Sequence, residues 1–113
     1  MGQRVTDTNE VRLAGRLAAA PQERELPSGD TVWTFRVVVR RPGGRGTRVG
    51  AVDTVDCAAY SAAAARSVRS WLAGDEVQVD GALRRRFWRS PTGARSRYEI
   101  EVSRGRRTAR SPV

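Results

Sequence analysis

The sequence predicts an all-β protein: a five-stranded barrel with one helix between its third and fourth strands. Three observations predict this class. Apolar and polar residues alternate in five segments, which is the period of strands with one buried face. Turn residues separate most of these segments, and only residues 62–73 have helical periodicity. A chain of 113 residues fits one such domain, which buries a modest core and gains from oligomerisation.

The first two strands form a predicted hairpin. Residues 9–26 alternate between apolar and polar side chains, and Pro21 interrupts or bulges this strand at a sheet edge. A turn containing proline, serine and glycine follows. The second strand, residues 31–41, places Trp33 on its inward face. We therefore expect Trp33 to lie in the core or in a subunit interface.

A glycine-rich loop and the only predicted helix come next. Residues 42–51 contain four glycines and two arginines, and predict a mobile loop that is either a simple connector or an arm over a polyanion. The third strand covers residues 53–61. Residues 62–73 then form the helix, between a serine N-cap and a glycine that ends it. Trp71 and Leu72 belong to its apolar stripe, so we expect Trp71 to be a core residue.

The last two strands complete the barrel. The fourth, residues 76–88, alternates with Leu83 inward, and Gly81 stands where a barrel strand must bend. The fifth, residues 95–104, alternates with Tyr98 on the core side. Five strands with a helix between the third and fourth are typical of the oligonucleotide/oligosaccharide-binding (OB) fold. We expect the OB domain to span residues 9–104, with a flexible N-terminus (1–8) and a basic flexible tail (105–113).

The composition favours an anionic partner and disfavours catalysis. The formal net charge is +9, and every one of the 21 basic residues is arginine. The guanidinium group of arginine can bind a phosphate through two hydrogen bonds and can stack on a base. The chain has no histidine and one cysteine, so the common general base and the common metal ligands are missing. We expect no enzymatic activity, no cofactor and no metal site. No apolar run approaches the ~20 residues of a membrane span, and we expect a cytoplasmic protein.

A basic face with one aromatic residue is predicted on the fourth strand. Arg84, Arg86 and Trp88 share the outward parity, which suits phosphates and an unpaired base. The alternative is a solvated strand with its tryptophan folded over the barrel rim. Further phosphate contacts are predicted from four arginines on the second strand and the loop after it: Arg36, Arg40, Arg45 and Arg48.

Two spacing patterns give the chain a resemblance to the bacterial single-stranded-DNA-binding protein (SSB) family. The opening NEVRLAGRL, residues 9–17, resembles the family's N-x-V-x-L-x-G-x-L pattern, and Pro21, Arg24 and Gly29 continue it. The stretch VQVDGAL, residues 77–83, resembles the family's V-x-V-x-G-x-L pattern. The chain looks like a short form without the family's acidic C-terminal tip.

The resemblance implies a function and a site. It implies binding and protection of single-stranded DNA with little sequence preference, in replication, recombination or repair, by a homotetramer or else a dimer. It places Trp88 and Tyr60 at family stacking positions. Thr54 and the PGGR loop lack two family aromatics, and Asp56 puts a negative charge on the presumed binding face. The alternatives are a primosomal-type dimeric OB protein and an RNA-binding OB domain; neither needs a membrane or a small-molecule substrate.

Overall fold

The structure is a computed structural model that describes residues 6–46 and 48–112. Strands make up most of the described chain, and the helix among them has seven residues. No helix in this part of the chain is long and apolar enough to cross a membrane. In chain order the elements are β1 (Val11–Leu17), β2 (Gln22–Glu25), β3 (Thr31–Arg40), β4 (Val52–Ala59), α1 (Ala62–Val68), β5 (Glu76–Ser90) and β6 (Gly93–Ala109).

The strands close into a ring. The sheet order is β1-β5-β6-β4-β3-β2, and β1 also pairs with β3 through Arg16 and Leu17. β1 can pair with both neighbours because its first part, Val11 to Arg16, runs antiparallel to β5. Gly15 lies at this junction, where a Cβ would meet the carbonyl oxygen of Val38 at 2.3 Å. The ring of five strands, with α1 between β4 and β5, confirms the predicted OB fold.

The predicted first strand is divided in two. β1 ends at Leu17, and after residues 18–21 the chain resumes as β2, which among the described strands pairs with β3 alone. Pro21 has no amide hydrogen to donate to a ladder, which fits its place in the gap. The predicted hairpin is present, with β2 and β3 joined by a turn at Leu26–Asp30.

The core lies inside the ring and under α1. The Trp71 ring meets the Phe35 ring edge to face, with centroids 5.4 Å apart. Trp71 is buried, as predicted, and Trp33 is half-buried and packs against the core cluster. The cluster is formed by Leu17, Phe35, Val37, Cys57, Ala59, Ala64, Val68, Trp71, Val77, Val79, Ile100 and Val102.

The helix is shorter than predicted. It ends at Val68 rather than at residue 73, and Trp71 N–H donates to the Val68 carbonyl in a tighter turn. This turn brings Trp71 onto Phe35, while Leu72, expected in the apolar stripe, is 60% exposed. The buried Asp75 carboxylate accepts a hydrogen bond from Leu72 N–H at 2.8 Å and stabilises the non-helical connection.

The predicted basic tail is partly a strand. β6 continues to Ala109, and the tail boundary at residue 105 is wrong. The reason is local: Gly105 is buried against Trp71, where a Cβ would lie 2.7 Å from the ring. Asp75 also accepts a hydrogen bond from Ser111 N–H at 2.8 Å, which holds the chain beyond the strand. Of the predicted flexible N-terminus, residues 1–5 lie outside the described residues.

β5 and β6 extend beyond the ring as a two-stranded ribbon. β1 pairs with β5 as far as Gly81, and β4 meets β6 at Ile100 and Glu101, so among the described strands residues 84–90 and 93–99 pair only with each other. Residues of core parity are therefore uncovered here, contrary to expectation: Leu83 is 44% exposed and Tyr98 is 58% exposed.

Candidate nucleic-acid interface

One side of the ribbon carries the predicted strand residues. Arg84, Arg86 and Trp88 lie on this side because every second residue of a strand points the same way. Antiparallel partners point to the same side, and theirs on β6 are Glu99, Arg97 and Arg95 respectively. We call these six residues, together with Tyr60 and Glu101, the front face.

Trp88 is an accessible ring near the tip of the ribbon. Its side chain is 46% exposed, and the Arg97 guanidinium lies 5.9 Å from the ring centroid. The ring is not folded into the core, which disfavours the rim-packing alternative. An exposed indole beside a guanidinium can stack on an unpaired base while the arginine contacts a phosphate.

Tyr60 is tied to the ribbon through Arg86. The guanidinium of Arg86 lies 4.8 Å from the Tyr60 ring centroid, and the phenol donates a hydrogen bond to Glu99 at 3.2 Å. Glu99 is only 2% exposed because these two side chains cover it. Burial, followed by the Glu99 charge, raises the pKa of Tyr60, so the phenol stays neutral and holds this proton. Tyr60 is half-buried.

Glu101 forms ion pairs with Arg84 and Arg86, the two arginines of β5 that were predicted to bind phosphate. Its carboxylate lies 2.7 Å from Arg86 and 3.4 Å from Arg84. The hydrogen bond from Arg86 is the main cause that lowers the pKa of Glu101. Arg86 Nε is buried without a hydrogen bond and lies 3.5 Å from Glu99. These carboxylates hold the arginines in place and also neutralise part of their charge.

The predicted residues of β3 and the following loop are spread more widely. Arg36 pairs with Asp56 at 2.9 Å on the outer side of β3 and β4, which confirms a negative charge beside a predicted phosphate contact. Arg40 is exposed at the end of β3. Arg45 and Arg48 are exposed in the loop, whose base is closed by the hydrogen bond from Arg41 N–H to the Ala51 carbonyl at 2.9 Å.

A depression of about 360 Å³ lies between Arg36 and part of the front face. It lies between β2, β3, β4 and β6, and its lining includes Arg36 and Asp56 as well as Arg97 and Glu99. Arg24 of β2 also lines it. Sequence analysis missed Arg24, Arg95 and Arg97 as site candidates, although the pairing of β6 with the arginine-rich β5 could have identified the last two.

Thr54 is exposed on β4, so the structure places no ring at that family position. Within residues 6–46 and 48–112 no group of histidine, cysteine, aspartate and glutamate side chains is placed to hold a metal ion. Cys57 is buried, and burial is the main cause that raises the pKa of its thiol to about 12.

Comparison with known proteins decides the family. Residues 8–107 match the single-strand binding protein family. The chain belongs to the single-strand binding protein family. Two relatives of this SSB chain are single-stranded DNA-binding proteins 1 and 2 of Staphylococcus aureus, from strains COL and MSSA476. Each is 33% identical over 88 residues, which are 77% of this chain and 52% of the relative. The SSB chain thus spans about half the length of these curated relatives.

A solved structure supports the fold. The structure described as the Plasmodium falciparum SSB complex with ssDNA superposes with a TM-score of 0.72 at 22% identity. The match covers 91% of the SSB chain and 95% of the other chain. At this identity the likeness shows a shared fold.

Proposed function

We propose that this chain binds and protects single-stranded DNA with little sequence preference, in replication, recombination or repair. The observation that carries the proposal is the front face: exposed Trp88, half-buried Tyr60 and the arginines between them lie on one side of a ring-shaped SSB fold. Arg36 extends the basic surface across β3. Every base has a ring face, so stacking on aromatics is tolerant of sequence.

The arginines supply the second part of the mechanism. Guanidinium groups contact phosphates, and their release of counterions makes affinity depend on salt. Arg84, Arg86 and Arg36 must exchange a carboxylate for a phosphate, or share their hydrogen-bond donors between the two. Arg40, Arg45 and Arg48 are exposed and extend this track along the loop. The proposed activity needs no cofactor and no bond-making step, so the chain acts as a binding protein and not as an enzyme.

Membership of the SSB family also supports assembly. We propose a homo-oligomer, a tetramer first and a dimer second, that acts in the cytoplasm at the nucleoid. Mass measurement in solution separates the tetramer from the dimer, and a dimer would favour the primosomal type of OB protein.

Fluorescence titration tests the proposal. The protein contains three tryptophans, of which Trp71 is buried and Trp88 is exposed. Oligo(dT) should quench the emission, whereas a duplex of equal length should bind far more weakly. Trp88→Ala should weaken oligo(dT) binding by ~1–3 kcal/mol, the usual contribution of one stacked base. Its melting temperature should stay close to that of the wild type because the ring is exposed.

Two results would contradict the proposal. Equal affinity for the single strand and the duplex would indicate a general polyanion-binding surface. A preference for RNA in competition between equal-length DNA and RNA oligomers would favour the RNA-binding alternative. Leu72→Ala is the matched control, because Leu72 is an exposed apolar residue on the connection after α1 and belongs to no part of the front face.

A further inference from the structure

The ribbon has a second face that the proposed function does not use. Arg85 and Phe87 alternate with the front-face residues along β5, and Tyr98 lies directly opposite Arg85 on β6. Leu83 continues this side towards the ring. We call Leu83, Arg85, Phe87 and Tyr98 the reverse face.

The rings of the reverse face are accessible. Phe87 is 70% exposed and Tyr98 is 58% exposed, which makes both more exposed than Trp88 at 46%. They lie outside the core cluster, since in the described part of the chain residues 84–90 and 93–99 pair only with each other. Large apolar groups that gather on one exposed surface indicate a binding site more often than single exposed apolar residues do.

Arg85 is arranged differently from the arginines of the front face. Its guanidinium lies 4.9 Å from the Phe87 centroid and 5.5 Å from the Tyr98 centroid, and it donates to Ser96 Oγ at 3.1 Å. In the described part of the chain Arg85 has no carboxylate within ion-pair distance, whereas Arg84 and Arg86 both pair with Glu101. Arg85 therefore keeps its full charge beside two exposed rings.

The charge of the ribbon decides between possible occupants. Residues 84–97 contain six arginines and no aspartate or glutamate. Two copies of the chain that met through this face would bring together two segments of residues 84–97, each of charge +6, and like charges at short range repel. A polyanion with exposed bases has the opposite charge and complements the rings as well. The surface thus favours a nucleic-acid strand over a second copy of the chain.

We propose that the reverse face binds a second segment of the same single strand, which passes around the ribbon from the front face. This inference rests on the proposed function. In it, Phe87 and Tyr98 stack on bases and Arg85 contacts the adjacent phosphate. The ribbon is then a two-sided element, and a bound strand covers more nucleotides for each protomer than the front face alone could hold.

Oligomer length separates the two faces. An oligo(dT) of about 8 nucleotides fits within the usual range of one OB fold, and one of about 35 nucleotides exceeds it. Phe87→Ala and Tyr98→Ala should weaken binding of the long oligomer by ~5-fold to ~150-fold, which corresponds to the loss of one stacked base. Binding of the short oligomer should be unchanged. Tyr98→Phe keeps the ring and should bind both oligomers like the wild type.

Site-specific crosslinking gives a direct measurement. A long oligo(dT) with single 5-iododeoxyuridine substitutions should crosslink to Phe87 or Tyr98 at some positions and to Trp88 at others. Crosslinks restricted to the front face would overturn the inference. So would long-oligomer affinities for Phe87→Ala and Tyr98→Ala that equal the wild-type value, or a lower oligomer mass for these variants, which would assign the reverse face to self-association.

The failure of this inference is distinguishable from failure of the proposed function. Trp88→Ala should weaken binding of both oligomers. If the wild type binds neither oligomer, the proposed function itself is wrong. If the wild type binds both and only the Trp88 variant is impaired, single-strand binding stands and the reverse face has no part in it. Unchanged melting temperatures of the variants would exclude unfolding as the cause of any loss.

Discussion

Removal of the Glu101 carboxylate should strengthen single-strand binding. Glu101 lies 2.7 Å from Arg86 and 3.4 Å from Arg84, so one acidic group competes with the DNA for two arginines of the front face. Glu101→Gln keeps the shape of the side chain and removes its charge. Both guanidinium groups then become fully available to phosphates, and the repulsion between carboxylate and phosphate disappears.

The magnitude follows from Coulomb's law. A carboxylate and a phosphate about 6 Å apart repel by about 0.7 kcal/mol in bulk water and by about 3 kcal/mol at an effective dielectric constant of 20. The Glu101 side chain is 36% exposed, so solvent screens the interaction and the effect lies near the lower value. We expect a gain of about 1 kcal/mol, which is roughly a 5-fold tighter dissociation constant, measured at physiological salt of about 0.15 M.

Fluorescence anisotropy of a labelled short oligo(dT) measures this gain, with Asp80→Asn as the control. Asp80 pairs with Arg12 at 2.7 Å, so the control changes the net charge equally. It lies four residues from Arg84 along β5, about 13 Å away and beyond the Debye length of physiological salt. An equal gain in both variants would mean that only net charge matters. Weaker binding by Glu101→Gln would mean that the carboxylate positions the arginines, and the reasoning would be refuted.

Three further predictions concern salt, the core and pH. If binding neutralises about five phosphates, a plot of log affinity against log salt concentration should have a slope of about −3.5. Salt titrations of the double variant Arg45→Ala with Arg48→Ala should give a slope that is less negative by about one. Trp33→Ala should lower the free energy of unfolding by about 2 kcal/mol in urea denaturation and leave DNA affinity unchanged; a loss of affinity alone would contradict its half-buried position. Hydrogen bonds from the backbone of residues 72 and 111 lower the pKa of Asp75. The ionised carboxylate therefore stabilises the fold at neutral pH, and this stabilisation is lost as the pH falls through the pKa of Asp75 in the folded state. The melting temperatures of wild type and Asp75→Asn should therefore converge in acid and stay apart at pH 7.

Alternation predicted the strands because each inward position meets the same core. Val77 and Val79 are buried and Gln78 between them is partly covered, as a period of two requires. The end of the helix could not be predicted in this way. Its apolar spacing continues to Leu72, but the contact of Trp71 with Phe35 needs a turn that helical geometry does not give. Tertiary packing overrode the local pattern at that point.

The candidate site was partly predictable for the same reason. Parity along β5 gave Arg84, Arg86 and Trp88, and the structure brings these onto one face with Tyr60. The same alternation placed Tyr98 on the core side of the last strand, whereas its side chain is exposed. The sequence alone does not show how far a strand extends past the ring. Exposure of Tyr98 depends on which strands pair beyond residue 99, and that is a property of the assembled sheet.

The distribution of acidic residues along β6 divides the ribbon into two electrostatic zones. Glu99 and Glu101 lie where the ribbon joins the ring, and they hold Arg84 and Arg86 in fixed positions. Residues 87–97 beyond them include three arginines and no acidic residue, so the tip carries uncompensated charge. Charge at an exposed tip acts first on an approaching polyanion, because it is far from the carboxylates that would screen it. Encounter should therefore begin at the tip beside Trp88, and contacts with Arg84 and Arg86 should follow once a phosphate has displaced Glu101 from them.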